Sequence, residues 1–195
     1  MAGASTIKKT NRINIKNVVY AKCIKDDISG VQYSEIKPLA KAMQVQISPG
    51  LAKGVLYGDG VKQEVISKLT GLTLTLDSNK IPIDVRADIQ GNKYENGVLV
   101  ENADDQAPDI AIGYMVEQTE KTAEYIWLLK GKSQPMGSNV QQTTENINFS
   151  TDALIVEFVP REFDGDVRHF ADSADSTFTS EMAAQWFTKV PGTVA

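Results

Sequence analysis

The one histidine, His169, and the one cysteine, Cys23, bound the chemistry open to this 195-residue chain. Any nucleophile–base pair would have to run through that single imidazole, and no nucleophile motif accompanies it. His169 lies in Val167-Arg168-His169-Phe170 beside acids and reads as a surface or strand histidine. Cys23 sits in a strand-like stretch and reads as a small, half-buried hydrophobe. Alone, it excludes an internal disulfide and a multi-cysteine zinc site. Asp164-Gly165-Asp166 resembles a fragment of a calcium loop but lacks the further oxygen ligands and the closing Glu, so it reads as a turn. Asp104-Asp105, inside a loop-like run from Glu101 to Pro108, reads as a solvated acidic turn. Gly58-Asp59-Gly60 is not followed by Gly-Lys-Ser/Thr and is no phosphate loop. Trp127, Trp186 and Phe187 read as core. No catalytic, cofactor-binding or metal-binding residue is assigned, and the chain is not expected to be an enzyme.

The elements that hold these residues read as short strands. Val18 to Ala21 form a β-branched and aromatic run. Met43, Val45 and Ile47 alternate with polar residues, as do Leu72, Leu74 and Leu76, and Leu154, Val156 and Phe158. Ile110, Ile112, Tyr114 and Val116 share one phase, and Tyr125 to Leu129 is densely apolar. Alternation of this kind marks an antiparallel sheet with one covered face. Asn96-Gly97 between Tyr94 and Val98-Leu99-Val100 predicts a two-residue hairpin. Pro82, the four-residue spacing of Ile81, Val85 and Ile89, and Gly91 predict one short helix over 81–90. Phe178, Met182 and Trp186, with Thr179 or Ser180 as cap, predict a second. The fold class read from these runs is mainly β with short helices, an antiparallel β-sandwich or barrel.

Three segments lie outside that pattern. Residues 1–16 are polar and basic and read as a flexible arm, 17–190 as the folded domain, and 191–195 as a tail. Residues 49–67 read as a long loop, too rich in glycine for a stable strand pair. Yet they keep Val55, Leu56, Tyr57, Val61, Val65 and Ile66, which are expected to be buried by a neighbour.

The net charge of −5 argues against a nucleic-acid binder, and it hides a gradient. Nine Lys and Arg against three acids give residues 1–53 a charge of +6, while two against nine give 141–185 a charge of −7. The two regions either pair within one molecule, stay solvated, or join copies head to tail. No apolar run approaches the ~18 residues of a membrane span and no apolar leader opens the chain. No membrane partner is expected, and synthesis in a cytoplasm follows.

From Gly91 onward the order of segments resembles the major tail tube proteins of long-tailed, non-contractile bacteriophages. The resemblance is carried by Gly91-Asn92-Lys93-Tyr94-Glu95-Asn96-Gly97-Val98-Leu99-Val100, and by Ala103-Asp104-Asp105-Gln106-Ala107-Pro108 running into Ile110-Ala111-Ile112-Gly113-Tyr114. Tyr125-Ile126-Trp127-Leu128-Leu129-Lys130-Gly131-Lys132 follows, then Asp172-Ser173-Ala174-Asp175 and Trp186-Phe187-Thr188. It spans about residues 17–190 and is densest over 91–132.

The resemblance implies a structural virion protein whose core is an antiparallel β-sandwich or half-barrel with a flanking helix. Six copies would form a ring whose strands join into a barrel around a channel. The rings would stack around a tape-measure protein between neck and tip proteins, in the phage tail, after assembly in a bacterial cytoplasm. DNA would pass through the lumen without specific binding. The resemblance also implies that the segment at 49–67 reaches from ring to ring. A tail terminator or tip hub of the same fold, and a monomeric small-ligand-binding β-barrel, are the alternative readings.

Overall fold

A computed structural model describes residues 10–138, 140, 142 and 150–193. Strands β1 (Arg12–Asp27), β2 (Gly30–Tyr33), β3 (Lys37–Pro38), β4 (Ala42–Gly58) and β5 (Val61–Ser78) come first. Helix α1 (Ile83–Gln90) and the hairpin β6 (Lys93–Glu95) and β7 (Val98–Val100) follow. The chain continues through β8 (Ile110–Gln118), β9 (Ala123–Ser133), β10 (Asp152–Phe158), β11 (Arg168–Asp172) and helix α2 (Ser180–Gln185). The protein is mainly antiparallel β with two short helices, as the alternating runs predict. The large sheet runs β2-β1-β8-β9-β10-β5-β4, with β3 on β1 and β11 on β9. Strands β1 and β4 approach each other, so the sheet curls into a half-barrel around a first core.

Side-chain alternation builds that core. Val18 and Tyr20 of β1, Ile110 and Ile112 of β8, Ile126 and Leu128 of β9, Leu72, Leu74 and Leu76 of β5 and Leu154, Val156 and Phe158 of β10 all point inward. Helix α1 closes one end through Ile89, with Ile81 just before it. It starts after Pro82 and stops at Gly91, whose φ of 73° frees the Gly91 N–H to reach the carbonyl of Ala87. The Asn96-Gly97 turn joins β6 to β7 with both residues at positive φ, as a two-residue hairpin requires. In α2, the Thr179 hydroxyl accepts the N–H of Met182.

The sheet is not covered on one face alone. The opposite phase of β1, β8 and β9 carries Ala21, Ala111, Trp127 and Leu129, which pack with Val190 beneath Trp186 and Phe187. This corrects the one-sided reading and explains why Tyr125 to Leu129 is apolar without alternation: a strand buried on both faces loses its polar phase. The Trp127 indole fills the space over Gly113, its cross-strand partner, and donates to the carbonyl of Trp186 at 2.9 Å. A Cβ on Gly113 would stand 2.8 Å from the indole.

Two boundaries also move. The arm assigned to 1–16 ends earlier, because Arg12 to Lys16 already pair with β8; residues 1–9 lie outside the described chain. Of the tail assigned to 191–195, Pro191 and Gly192 belong to the folded chain, since the Pro191 carbonyl accepts from Arg161 and Gly192 packs on its guanidinium; residues 194–195 lie outside the described chain.

Gly113→Ala is expected to cost about 1–3 kcal/mol by overpacking against Trp127. Urea unfolding followed by tryptophan fluorescence checks this through a lowered midpoint at unchanged slope.

Candidate assembly surface

The segment 49–67 is a strand pair, not a loop. Strands β4 and β5 pair from Ala42↔Ser78 out to Gly58↔Val61, and Asp59-Gly60 form the tip, both at positive φ. The glycines that argued against strands are absorbed in specific ways. Gly50 faces the extra residue of a β-bulge, Thr70, whose hydroxyl lies 2.9 Å from where a Gly50 Cβ would be. Gly54 and Gly58 are spread along an edge strand.

Only the inner part of this hairpin belongs to the sheet. Strand β10 pairs with residues 72–78 of β5 and no further. Beyond Gly71, among the described residues, the two strands pair only with each other, over about 25–30 Å at ~3.3 Å per residue. Every residue from 51 to 70 is exposed except Gly58. The six apolar residues singled out from the sequence are all here: Val55, Leu56, Tyr57, Val61, Val65 and Ile66 are each more than two-fifths exposed. They do not fold back onto their own core.

The exposed residues divide by face. Pairs Val45↔Leu76, Ile47↔Leu74 and Pro49↔Leu72 lie on the core side of the sheet. Because Thr70 is the extra residue of the bulge, that side continues outward as Leu51↔Leu69 and Val55↔Val65, with Tyr57 beyond. Leu56 and Ile66 occupy the reverse face. The core side of the sheet thus overhangs its own core. An isolated two-stranded ribbon is marginal in water, and this one presents apolar side chains on both faces and a free hydrogen-bonding edge along β4, a template for another chain.

At the root of the overhang lies a half-open groove of about 830 Å³ between β1 and β4. Ile15, Val45, Ile47, Leu72, Tyr114 and Ile126 line its apolar part. Burial pushes the Tyr114 hydroxyl up to about 12. Arg12 and Glu124 meet at one end in an ion pair at 2.7 Å.

The residues that could have carried chemistry are committed elsewhere. His169, half-buried in β11, places its Nε2 2.8 Å from the exposed Asp166 just before that strand. Burial raises the Cys23 thiol to about 11, with Asp26 and Asp109 adding to the effect, so the thiolate is scarce near neutrality. Asp164 accepts from Arg161 and from the N–H of Asp166, closing the turn expected there. Asp105 accepts from the Asn92 amide and the N–H of Asn102, again a turn. Among the described residues no three His, Cys, Asp or Glu side chains gather as a metal set.

Among the described residues, the ion pairs of the basic region go to acids outside 141–185, although Asp172 also attracts Arg12. Arg12 pairs with Glu124, Lys16 with Glu117, and both Lys22 and Lys37 with Asp88. Lys8, Lys9 and Glu145 fall outside the described residues. Asp88 also accepts the Tyr20 hydroxyl at 2.8 Å. Although desolvation works against it, Lys22, Tyr20 and Lys37 hold the Asp88 carboxyl below its usual range.

A polar cluster that local sequence did not signal fastens the far end of the sheet. Asp26, nearly buried, accepts Lys130 at 2.7 Å and the N–H groups of Glu162 and Phe163. Arg161, fully buried, donates to Asp164 and to the Pro191 carbonyl. Desolvation opposes ionisation of Asp26, but Lys130 and the two N–H groups outweigh it and hold the carboxyl below 3.8.

No protein-family model matches this chain, and a search of curated proteins finds no match either.

Two outcomes follow from this geometry. Replacing 51–70 by Asn-Gly, between the paired Gly50 and Gly71, is expected to leave near-native β circular dichroism and a cooperative melt, since no core residue is removed; loss of the fold would show the hairpin to be integral. Asp26→Asn is expected to cost roughly 2–4 kcal/mol at neutral pH by leaving Lys130 only the exposed Glu162, 3.7 Å away. Asp26 stabilises the fold above the unfolded carboxyl value and loses that contribution as pH falls through its lower folded value. The gap between parent and variant should therefore close as urea titrations move from pH ~6 towards ~2.

Proposed function

We propose that this chain is a structural protein that assembles with copies of itself into rings and stacks, forming a conduit of the phage tail tube type. The observation that carries the reading is the β4–β5 overhang: a strand pair about 25–30 Å long with apolar side chains on both faces and no partner among the described residues. Contiguous apolar surface of this kind marks an interaction site. A free strand edge is a hazard in a monomer and an asset where the next copy covers it. The mainly antiparallel architecture with a short flanking helix agrees with the resemblance over 17–190. The raised Cys23 thiol and the pairing of His169 in β11 with Asp166 support a structural rather than a catalytic role.

In this reading the partners are further copies, a tape-measure protein, and neck and tip proteins. The net charge of −5 suits a lumen through which DNA must slide without being held. Rings of six and a place in the virion are part of the proposal through the resemblance alone. A terminator or tip hub of the same fold would share the overhang but stop at one ring.

One observation favours a second reading, a small-ligand barrel: the half-open groove falls within the ~300–1,000 Å³ range of ligand pockets. Sedimentation velocity and negative-stain imaging of the purified chain, over a wide span of concentration and salt, separate the two. Rings and open-ended tubes are the expected result. Single rings that never stack would assign it to the terminator class. A strictly monomeric species throughout would overturn assembly and leave the ligand barrel.

A further inference from the structure

The overhang must be covered by something, and the surface that covers it is the open question within the assembly reading, on which this inference rests. We infer that the core-side face of the β4–β5 hairpin of one copy seats in the groove between β1 and β4 of a second copy. Three observations lead there.

The first is chemical. The hairpin face presents Leu51, Val55, Tyr57, Val65 and Leu69, a strip continuous in phase with the sheet's own core residues. It is therefore a piece of core face that lacks its opposite layer. The groove is the place in this fold where an opposite layer stands open. Its floor belongs to the first core, through Val45, Ile47, Leu72 and Ile126. Its rim carries exposed Ile13, Met43 and Phe170.

The second is size. That face comprises four residues of β4 and four of β5, all exposed, a strip that forms part of a standard interface of ~20–30 residues a side. A groove of about 830 Å³ is large enough to take several apolar side chains rather than one.

The third is continuity. Leu69 lines the groove and also roots the hairpin, so donor and acceptor surfaces are adjacent on one molecule. A copy whose hairpin is seated still offers its own groove, and the contact is heterologous. Such contacts repeat without self-limitation along one direction unless a ring closes them. This supplies the direction of stacking without recourse to the charge gradient, whose basic residues are partly spent on Glu117, Glu124 and Asp88.

Disulfide trapping between full-length chains tests the contact. In a Cys23→Ser background, one tagged chain carries Val55→Cys on the hairpin, and an untagged chain carries either Met43→Cys at the groove rim or Ile28→Cys on the remote β1–β2 turn. All three substituted positions are exposed, at 43%, 64% and 92%, so folding is not at stake. Mixed under mild oxidation, Val55→Cys with Met43→Cys should give about tenfold or more heterodimer than Val55→Cys with Ile28→Cys, because docking raises the effective thiol concentration. Equal yields would overturn the inference; a groove reserved for a small ligand, or closed by residues 1–9 of its own chain, gives that result. Sedimentation of the unsubstituted chain tells the two failures apart. Tubes with equal trapping yields would dismiss only this docking site, whereas a monomer at all concentrations would dismiss self-assembly itself.

Discussion

Strand β9 has more neighbours than a strand in a flat sheet can have, and the architecture follows from how it divides them. One edge is taken along its length by β8. The other edge is split: Glu124 to Leu128 pair with β11, and Gly131 to Ser133 with β10. The chain between those two strands must leave the sheet at Leu129 and Lys130, and it does so with Val159 bonded to the Lys130 carbonyl and Leu129 to that of Val167. Buried loop backbone needs partners. Asp26 and Arg161 supply them there, accepting from Glu162 and Phe163 and donating to Pro191. Strand β10 then carries β5 and β4 around the first core. Strand β11 stays by β9, while α2 and the C-terminal segment cover the second. Two faces of β9 are buried because its second edge serves two directions.

The overhang is a consequence of the same arrangement. Strand β10 spans seven residues and β5 eighteen, so more than half of β5 has no neighbouring strand on its far side among the described residues. What the sheet leaves uncovered is not a solvated loop but a strand pair in register, with side-chain phase inherited from the core. The groove between β1 and β4 arises for the complementary reason: the curl brings these two strands near each other without pairing them.

The sequence was legible wherever a strand separates apolar from polar surroundings. Leu72, Leu74 and Leu76, or Leu154, Val156 and Phe158, alternate because only one of their faces meets the core. The α1 helix was legible because Pro82 and Gly91 bracket it locally, and the β6–β7 hairpin because Asn96-Gly97 specifies its turn. The outer parts of β4 and β5 were not read as strands. Both of their faces are exposed, no alternation is imposed, and glycines at 54 and 58 imitate a loop. Arg12 to Lys16 failed for a related reason: their pairing with β8 rests on backbone bonds and on ion pairs to Glu117 and Glu124 a hundred residues away. The six apolar residues of the overhang were found because a solvated segment has no use for them. The groove was not, since it is formed by residues that look like ordinary core.

The bulges in β5 carry one more implication, for how this surface can change over generations. Thr70 and Gln63 are each one residue more than β4 provides opposite them, and each advances the phase of β5 by one position. Thr70 puts Leu69 on the side of Leu51; Gln63 restores Lys62 opposite Tyr57. Side-chain identity in the overhang is constrained by little inside the monomer, so substitutions there can drift freely as far as folding is concerned. A gain or loss of a single codon in β5 is different in kind, because period-two geometry moves every residue beyond it to the other face. Lineages of this chain should therefore vary the overhang by replacement, or by paired changes of length in both strands, while one-residue indels on one strand alone are purged.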